Sequence, residues 1–218
     1  MAWVEIPAMP EAVIAVVARL SILRRCENRK TSVDPIGEYR DKKAGDVMQD
    51  DITVSLSPVT SNDLSEIDDV FDDLTNYSLR VDGVSKRSNA AYEFLNALPP
   101  GFEARHKYAF LAKRGGVAVG LLDILDGYPS LGTAFIGLLA VRETAQGLGV
   151  GGAIFREGER IALHSLKART LRLAVVETNP VIGFWMKMGF GLTGEVKPFE
   201  GQTIRSHSVL MEKRLRNL

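Results

Sequence analysis

Residues Val141 to Phe155 read VRETAQGLGVGGAIF, which places glycine at 147, 149, 151 and 152, between an apolar segment and the start of a helical pattern. A glycine inside a helix costs about 0.8–1 kcal/mol relative to alanine, so Gly151 and Gly152 make a poor first turn on propensity alone. A second requirement must outweigh that cost. Upstream, Ala134 to Val141 is a strand-like run; downstream, Ile154, Phe155, Ile161, Ala162 and Leu166 fall on one helical face, and a new apolar strand, LRLAVV, opens at Leu171. The pattern predicts a strand, a crossover helix over about 149–166 and a second, parallel strand, with a right-handed connection. Burial of each large side chain on that helix contributes about 1.5–3 kcal/mol, enough to offset two glycines without explaining them.

The chemistry of a helix N-terminus supplies one explanation. Its first amides have no intrahelical acceptor and carry the positive end of the helix dipole, so they bind anions wherever no side chain stands in the way. A tight turn with close helix packing is the alternative. Three phosphate-binding patterns compete for the segment. The nucleoside-triphosphate loop requires Gly-Lys followed by Ser or Thr, and Gly151-Gly152-Ala153 lacks both lysine and hydroxyl. The dinucleotide fingerprint G-x-G-x-x-G matches at Gly147, Gly149 and Gly152, with Glu177 at the end of the next strand. Its context does not match, because Arg142 to Gln146 separate the strand from the first glycine and little chain remains after Glu177 for a doubly wound sheet. The third pattern, Gln/Arg-x-x-Gly-x-Gly/Ala, runs from Gln146 to Gly151.

Working outward, ITVSLSPV from Ile52 reads as a strand, and Leu64, Ile67, Phe71 and Leu74 recur at helical spacing behind a cap at Thr60 or Ser61. A second helix is expected over about 85–98, ended by Pro99, Pro100 and Gly101. Tyr108 to Ala112, Val117 to Leu125 and Ala134 to Val141, joined by KRGG and DGYPSLG, predict an antiparallel meander. Residues 1–47 differ in character and are read as an extension of unassigned role, with a domain spanning 48–218.

Lysine plus arginine equals aspartate plus glutamate at 27 each, so no overall field favours nucleic acid or an anionic membrane. The apolar run 12–23 contains Arg19 and is shorter than the ~20 residues that cross a bilayer. No targeting signal is read in the N-terminal residues. A single cysteine, Cys26, fits a reducing compartment, which makes the cytoplasm the expected location. His106, His164 and His207 are scattered without metal-ligand spacing, so no metal is expected.

With AFIGLLAV before the loop, NPVIGFWMKMGF after the next strand and HSVLMEKRL at the close, all in order with Gln146 to Gly151, the chain resembles the GNAT family of N-acetyltransferases over about 52–215. The resemblance implies a mixed α/β fold: a mostly antiparallel central sheet with one splayed parallel strand pair, flanked by helices. It also implies acetyl-CoA as cosubstrate and direct acetyl transfer to an amine of a small molecule or peptide. Carried over, Gln146, Gly147, Leu148, Gly149, Val150 and Gly151 cradle the pyrophosphate and Gly152 allows its close approach. The backbone of Leu139, Ala140 and Val141 pairs with the pantetheine arm. Asn179, Phe184 and Trp185 lie toward the acetyl end.

Two departures stand out. The segment from Asn179 to Gly189 is one residue short, so either Asn179 or Thr178 occupies the family's asparagine position. Trp185 stands where many members carry a tyrosine acid, and indole has no usable acidic proton. The catalytic acid and base are left unassigned, with Asp123, Asp126, Tyr128 and Glu177 as candidates. The acidic segment NDLSEIDDVFDDLTN is either a solvated helix face or a lure for cationic acceptors. Exposed sheet edges make a homodimer a possible assembly. A CoA-binding sensor without turnover, and after it a dinucleotide-binding protein, are the alternative readings.

Overall fold

The structure is a computed structural model that describes residues 52–216 and the backbone of Ala15 and Val16. The expectations for Cys26 and for a boundary near Met48 lie outside the described residues. The meander forms as the sequence predicts, with β3 (Lys107–Arg114), β4 (Val117–Asp126) and β5 (Thr133–Val141) pairing antiparallel in turn, and β2 (Ser55–Pro58) adds antiparallel to the outer edge of β3. Gly115 and Gly116, at φ +58° and +83°, form the two-residue turn between β3 and β4, a geometry that requires positive φ at both positions. The chain then crosses through α4 (Val150–Arg160), extended by a π turn at Ile161–Ser165, and returns as β6 (Thr170–Val176), parallel to β5. After α5 (Ile182–Lys187), β7 (Gly191–Glu200) and β8 (Arg205–Arg214) complete a sheet ordered β2-β3-β4-β5-β6-β8-β7.

On the other face lie α1 (Leu64–Asp72), α2 (Thr75–Val81) and α3 (Ala90–Asn96). Three short helices replace the two expected. The break between α1 and α2 is invisible to periodicity because Leu74, which continues the apolar spacing of α1, is fully buried all the same. The last of the three is shorter than 85–98, because Asn89 takes a left-handed φ of 59° before it and Ala97 is already extended ahead of Leu98-Pro99.

The sheet separates two apolar layers. Leu122, Ile124, Leu139, Val141, Ile154, Phe155, Trp185 and Phe190 pack on the α4 side. Ile67, Val70, Leu74, Tyr77, Phe94, Leu121, Leu138 and Ala140 pack on the α1–α3 side. Strand alternation would put even and odd residues of β5 on opposite faces throughout. Instead Ala134 and Ile136 share the α4 face with Leu139 and Val141. The cause is a β-bulge: Asp123 is opposite Leu138 and Ile124 opposite Ile136, which leaves Gly137 as the extra residue.

The bulge coincides with the end of parallel pairing. β5 and β6 are joined only from Thr133↔Thr170 to Ile136↔Leu173. Beyond that point β5 stays on β4 as far as Val141 and β6 stays on β8 as far as Val176. The two strands therefore diverge into a slot where β6 no longer meets the β5 edge, and β1 (Ala15–Val16) pairs there instead, parallel to β5, with Ala15 opposite Leu138 and Val16 opposite Leu139.

Candidate functional site

At the open end of the slot, β5 passes into a 3-10 turn at Glu143–Ala145, and the Gln146 side-chain amide donates back to the Val141 carbonyl at 2.8 Å. That bond ties the loop to the strand end. Gly147 and Gly149 have φ of +79° and +81°, a region that strains any residue with a Cβ, and Gly149 caps α4 by accepting from Ala153 N at 3.1 Å. Backbone geometry thus accounts for two of the four glycines.

It does not account for the other two. Gly151 and Gly152 are helical, so conformation does not demand glycine. An added Cβ at 151 would meet Val141 Cγ2 at 3.5 Å and a ring carbon of Phe184 at 3.6 Å, which are ordinary contacts. At 152 it would meet only the far end of the Arg156 side chain, at 3.4 Å. Nothing within the fold forbids a methyl group at either position. The amides of Val150, Gly151 and Gly152 precede the first intrahelical bond, and no side chain caps this end. The glycines leave those donors uncovered from outside, which suits a phosphate. Arg156, exposed one turn into α4, adds a cation that sequence reasoning missed; its only signal was its place four residues after Gly152.

Phe184 is buried against Gly151, and Trp185 is fully enclosed with its ring edge-on to Phe155, Phe184 and Phe190. Its Nε1 is buried without a hydrogen-bond partner. Trp185 therefore builds the wall behind Phe184 and cannot act as an acid. Asn179 is buried in the turn after β6, where its N–H donates to Val176 O at 2.8 Å. Thr178 is exposed, and its hydroxyl donates to the Arg80 carbonyl at 2.5 Å, tying this turn to α2.

The four acid and base candidates separate. Asp126 faces Ala134 at the far end of β4, seven residues along β5 from Val141, or about 23 Å at ~3.3 Å per residue. Tyr128 lies beyond it, edge-on to Phe102 and Phe135, and burial raises its pKa. Glu177 is exposed past the end of β6 and its carboxylate approaches His207 Nδ1 at 3.6 Å. Only Asp123 lies at the bulge, where the slot begins. Its Oδ2 accepts from Lys107 Nζ at 2.6 Å and both side chains are almost wholly buried, while its Oδ1 is buried with no partner. Gly137 makes the space, since a Cβ there would lie 2.6 Å from that Oδ1. Burial pushes the Asp123 carboxyl up, against the opposing pull of the Lys107 ammonium.

Asp123, Lys107, Gly137 and Leu138 line one side of a cavity of about 40 Å³ beneath α1–α3. Phe71, Tyr77 and Phe94 wall it, and Arg87, ion-paired with Glu93, borders it. At about 10–15 Å³ per water this holds a few waters or a small polar head. The acidic segment over α1 is mostly committed elsewhere. Asp63 caps Thr60, Glu66 pairs with Lys113 at 2.8 Å, Asp72 pairs with Lys86 at 2.5 Å and Asp73 accepts from Thr144 Oγ1 at 2.6 Å. Among the described residues no cluster of three or more histidine, cysteine or acidic side chains is arranged to hold a metal, and no helix is long and apolar enough to cross a membrane.

Comparisons with known proteins agree with this architecture. The profile of the Acetyltransferase (GNAT) family matches residues 69–190. An acetyltransferase from Thermus thermophilus superposes with a TM-score of 0.58 at 25% identity, covering 76% of this chain and 99% of that one. A GNAT family acetyltransferase from Elizabethkingia anophelis, solved with acetyl-CoA bound, gives 0.53 at 16% identity over 77% and 100% of the two chains. The ribosomal-protein-S18-alanine N-acetyltransferase of Escherichia coli gives 0.56 at 15% identity over 76% and 96%. A search of curated proteins found no match.

Proposed function

Because the chain belongs to the GNAT acetyltransferase family, we propose that it moves the acetyl group of acetyl-CoA directly to an amine of a small molecule or peptide. The observation that carries the cofactor half is the pair Gly151 and Gly152, which neither backbone conformation nor internal packing requires. In this reading the loop from Gln146 to Gly151 holds the pyrophosphate on its amides, Gly152 keeps the approach clear, and Arg156 adds positive charge beside it. The β5 edge at Leu139, Ala140 and Val141 pairs with the pantetheine arm, which takes over the position of β1. Phe184, backed by Trp185, forms the wall beneath, and Asn179 shapes the turn opposite. Acetyl-CoA supplies an activated thioester. The chain supplies fixed amide donors along β5, oriented before any charge develops, and an aligned approach for the second substrate.

The acceptor enters from the opposite face of the sheet, through the cavity under α1–α3. The work is assigned to the cytoplasm. A homodimer would use the edge strand β7, where Leu192 and Val196 are exposed.

The test is thermal unfolding with acetyl-CoA, CoA, NAD and FAD in turn. A ligand at a hundred times its Kd stabilises the folded chain by ~2.7 kcal/mol, so acetyl-CoA and CoA should raise Tm clearly. Stabilisation by NAD and not by CoA would overturn the assignment. The enclosure of Trp185, which leaves no acidic hydroxyl at that position, favours a second reading as a CoA-binding sensor without turnover. Release of free CoA thiol in the presence of an amine panel distinguishes the enzyme from the sensor.

A further inference from the structure

Asp123 is a carboxylate with one oxygen in an ion pair and the other empty, buried inside a sheet, with a glycine opposite that leaves it room. A buried, unpartnered acceptor oxygen is costly to keep, and the pairing with Lys107 uses only the other oxygen. The oxygen borders a cavity lined also by Leu138, the residue next to the start of the proposed pantetheine edge. Cavity and slot therefore meet at the bulge.

We propose that Asp123 Oδ1 anchors the acceptor's ammonium group and receives its proton, and that the acceptor is a primary amine carried on a carbon chain. The inference rests on the acetyl-transfer reading above. The charges around the cavity support the substrate class. Lys107 on β3 and Arg87 ahead of α3 offset Asp123 on β4 and Glu93 on α3, and the phenol of Tyr77 on α2 is neutral. Asp123 Oδ1 is a carboxylate oxygen there outside any ion pair, and the buried Tyr77 hydroxyl, also without a hydrogen bond, can accept a second N–H of the ammonium. The aromatic walls Phe71, Tyr77 and Phe94 offer apolar surface to a carbon chain and ring faces to the cationic head.

The step balances as follows. The ammonium gives one proton to Asp123 Oδ1, and the freed nitrogen lone pair bonds to the acetyl carbonyl carbon as the C–S bond breaks. Sulfur leaves with the bonding pair, the nitrogen sheds its second proton to become a neutral amide, and the thiolate is protonated to the thiol. One proton in total passes to solvent.

Methylammonium chloride is the probe, titrated calorimetrically into the full-length chain at constant ionic strength, with tetramethylammonium as a cation that cannot donate. The parent should bind methylammonium at least tenfold tighter than tetramethylammonium. Asp123→Asn should lose that preference while its Tm shift with acetyl-CoA is unchanged. Gly137→Ala, which keeps the carboxylate and fills the space before it, should lose it as well, so the test survives if the first variant does not fold. In turnover, Lys107→Met should move the acid limb of the kcat/KM profile to higher pH, because removing the cation raises the carboxyl's pKa further. Equal binding of the two cations by the parent, or full retention of the preference in both variants, overturns the proposal. Those results with a normal acetyl-CoA shift remove the role of Asp123 alone. Absence of that shift in the parent removes the transfer reading itself.

Discussion

A methyl group at position 151 separates what the fold needs from what a ligand needs. Gly151→Ala replaces glycine by the best helix former without a close contact, so it should stabilise the chain by up to about 1 kcal/mol in urea denaturation. The bulky Gly151→Trp should weaken acetyl-CoA binding by well over tenfold in calorimetry; unchanged affinity would show the pyrophosphate to lie elsewhere. Arg156→Ala should weaken it several-fold and reduce its salt dependence. Asp82 gives a stability counterpart. It is buried at the end of α2, and desolvation raises its pKa ahead of the opposing effect of Arg87 and the reinforcing effect of Glu93. A folded pKa above the unfolded one means that stability is fully present below the ordinary carboxylate range and declines as pH rises through the folded pKa. Asp82→Asn should abolish that decline and be more stable than the parent at neutral pH, read from urea midpoints between about pH 3.5 and 7. At this scale the letters singled out the glycines and offered Asp123 as one of four acid and base candidates. They could not tell Asp123 from Asp126, since the difference is which residue faces a bulge.

At the scale of elements, α4 was the most legible because its apolar positions keep one period through eleven residues and the adjoining π turn. Gly158 within it carries the same propensity cost and is a packing requirement. A Cβ there would lie 2.7 Å from Leu122 Cδ2, so Gly158→Val should cost about 1–3 kcal/mol by overpacking, measured by denaturant unfolding. The helices before the sheet were less legible. The restart that separates α2 from α1 leaves the apolar spacing intact, and the left-handed Asn89 that fixes the start of α3 carries no periodic signal. Periodicity reports faces and is blind to interruptions that preserve them.

Turn lengths and one long crossover made the antiparallel meander and the parallel pair legible from Tyr108 onward, whereas the place of β8 between β6 and β7 was not read from the sequence. The seat of β1 was not, because pairing between residues 15–16 and 138–139 leaves no local trace in either segment. One strand edge hydrogen-bonds one neighbour at a time, so β1 and a pantetheine arm exclude each other. A full-length Ala15→Pro, Val16→Pro double variant, deprived of two N–H donors, should bind acetyl-CoA several-fold tighter by calorimetry. The bulge reaches further still. Because the bulge absorbs Gly137 without a partner on β4, the side chains from Leu138 to Val141 keep the faces that a regular strand running straight on from Ile136 would give them. Deleting Gly137 would leave Leu139 and Val141 on the α4 face with Ala134 and Ile136, and Leu138 and Ala140 on the other, because Leu138 would then follow Ile136 in regular alternation. A one-codon deletion at this place would spare both apolar layers and strike only the irregularity, straightening β5 at the point where it parts from β6.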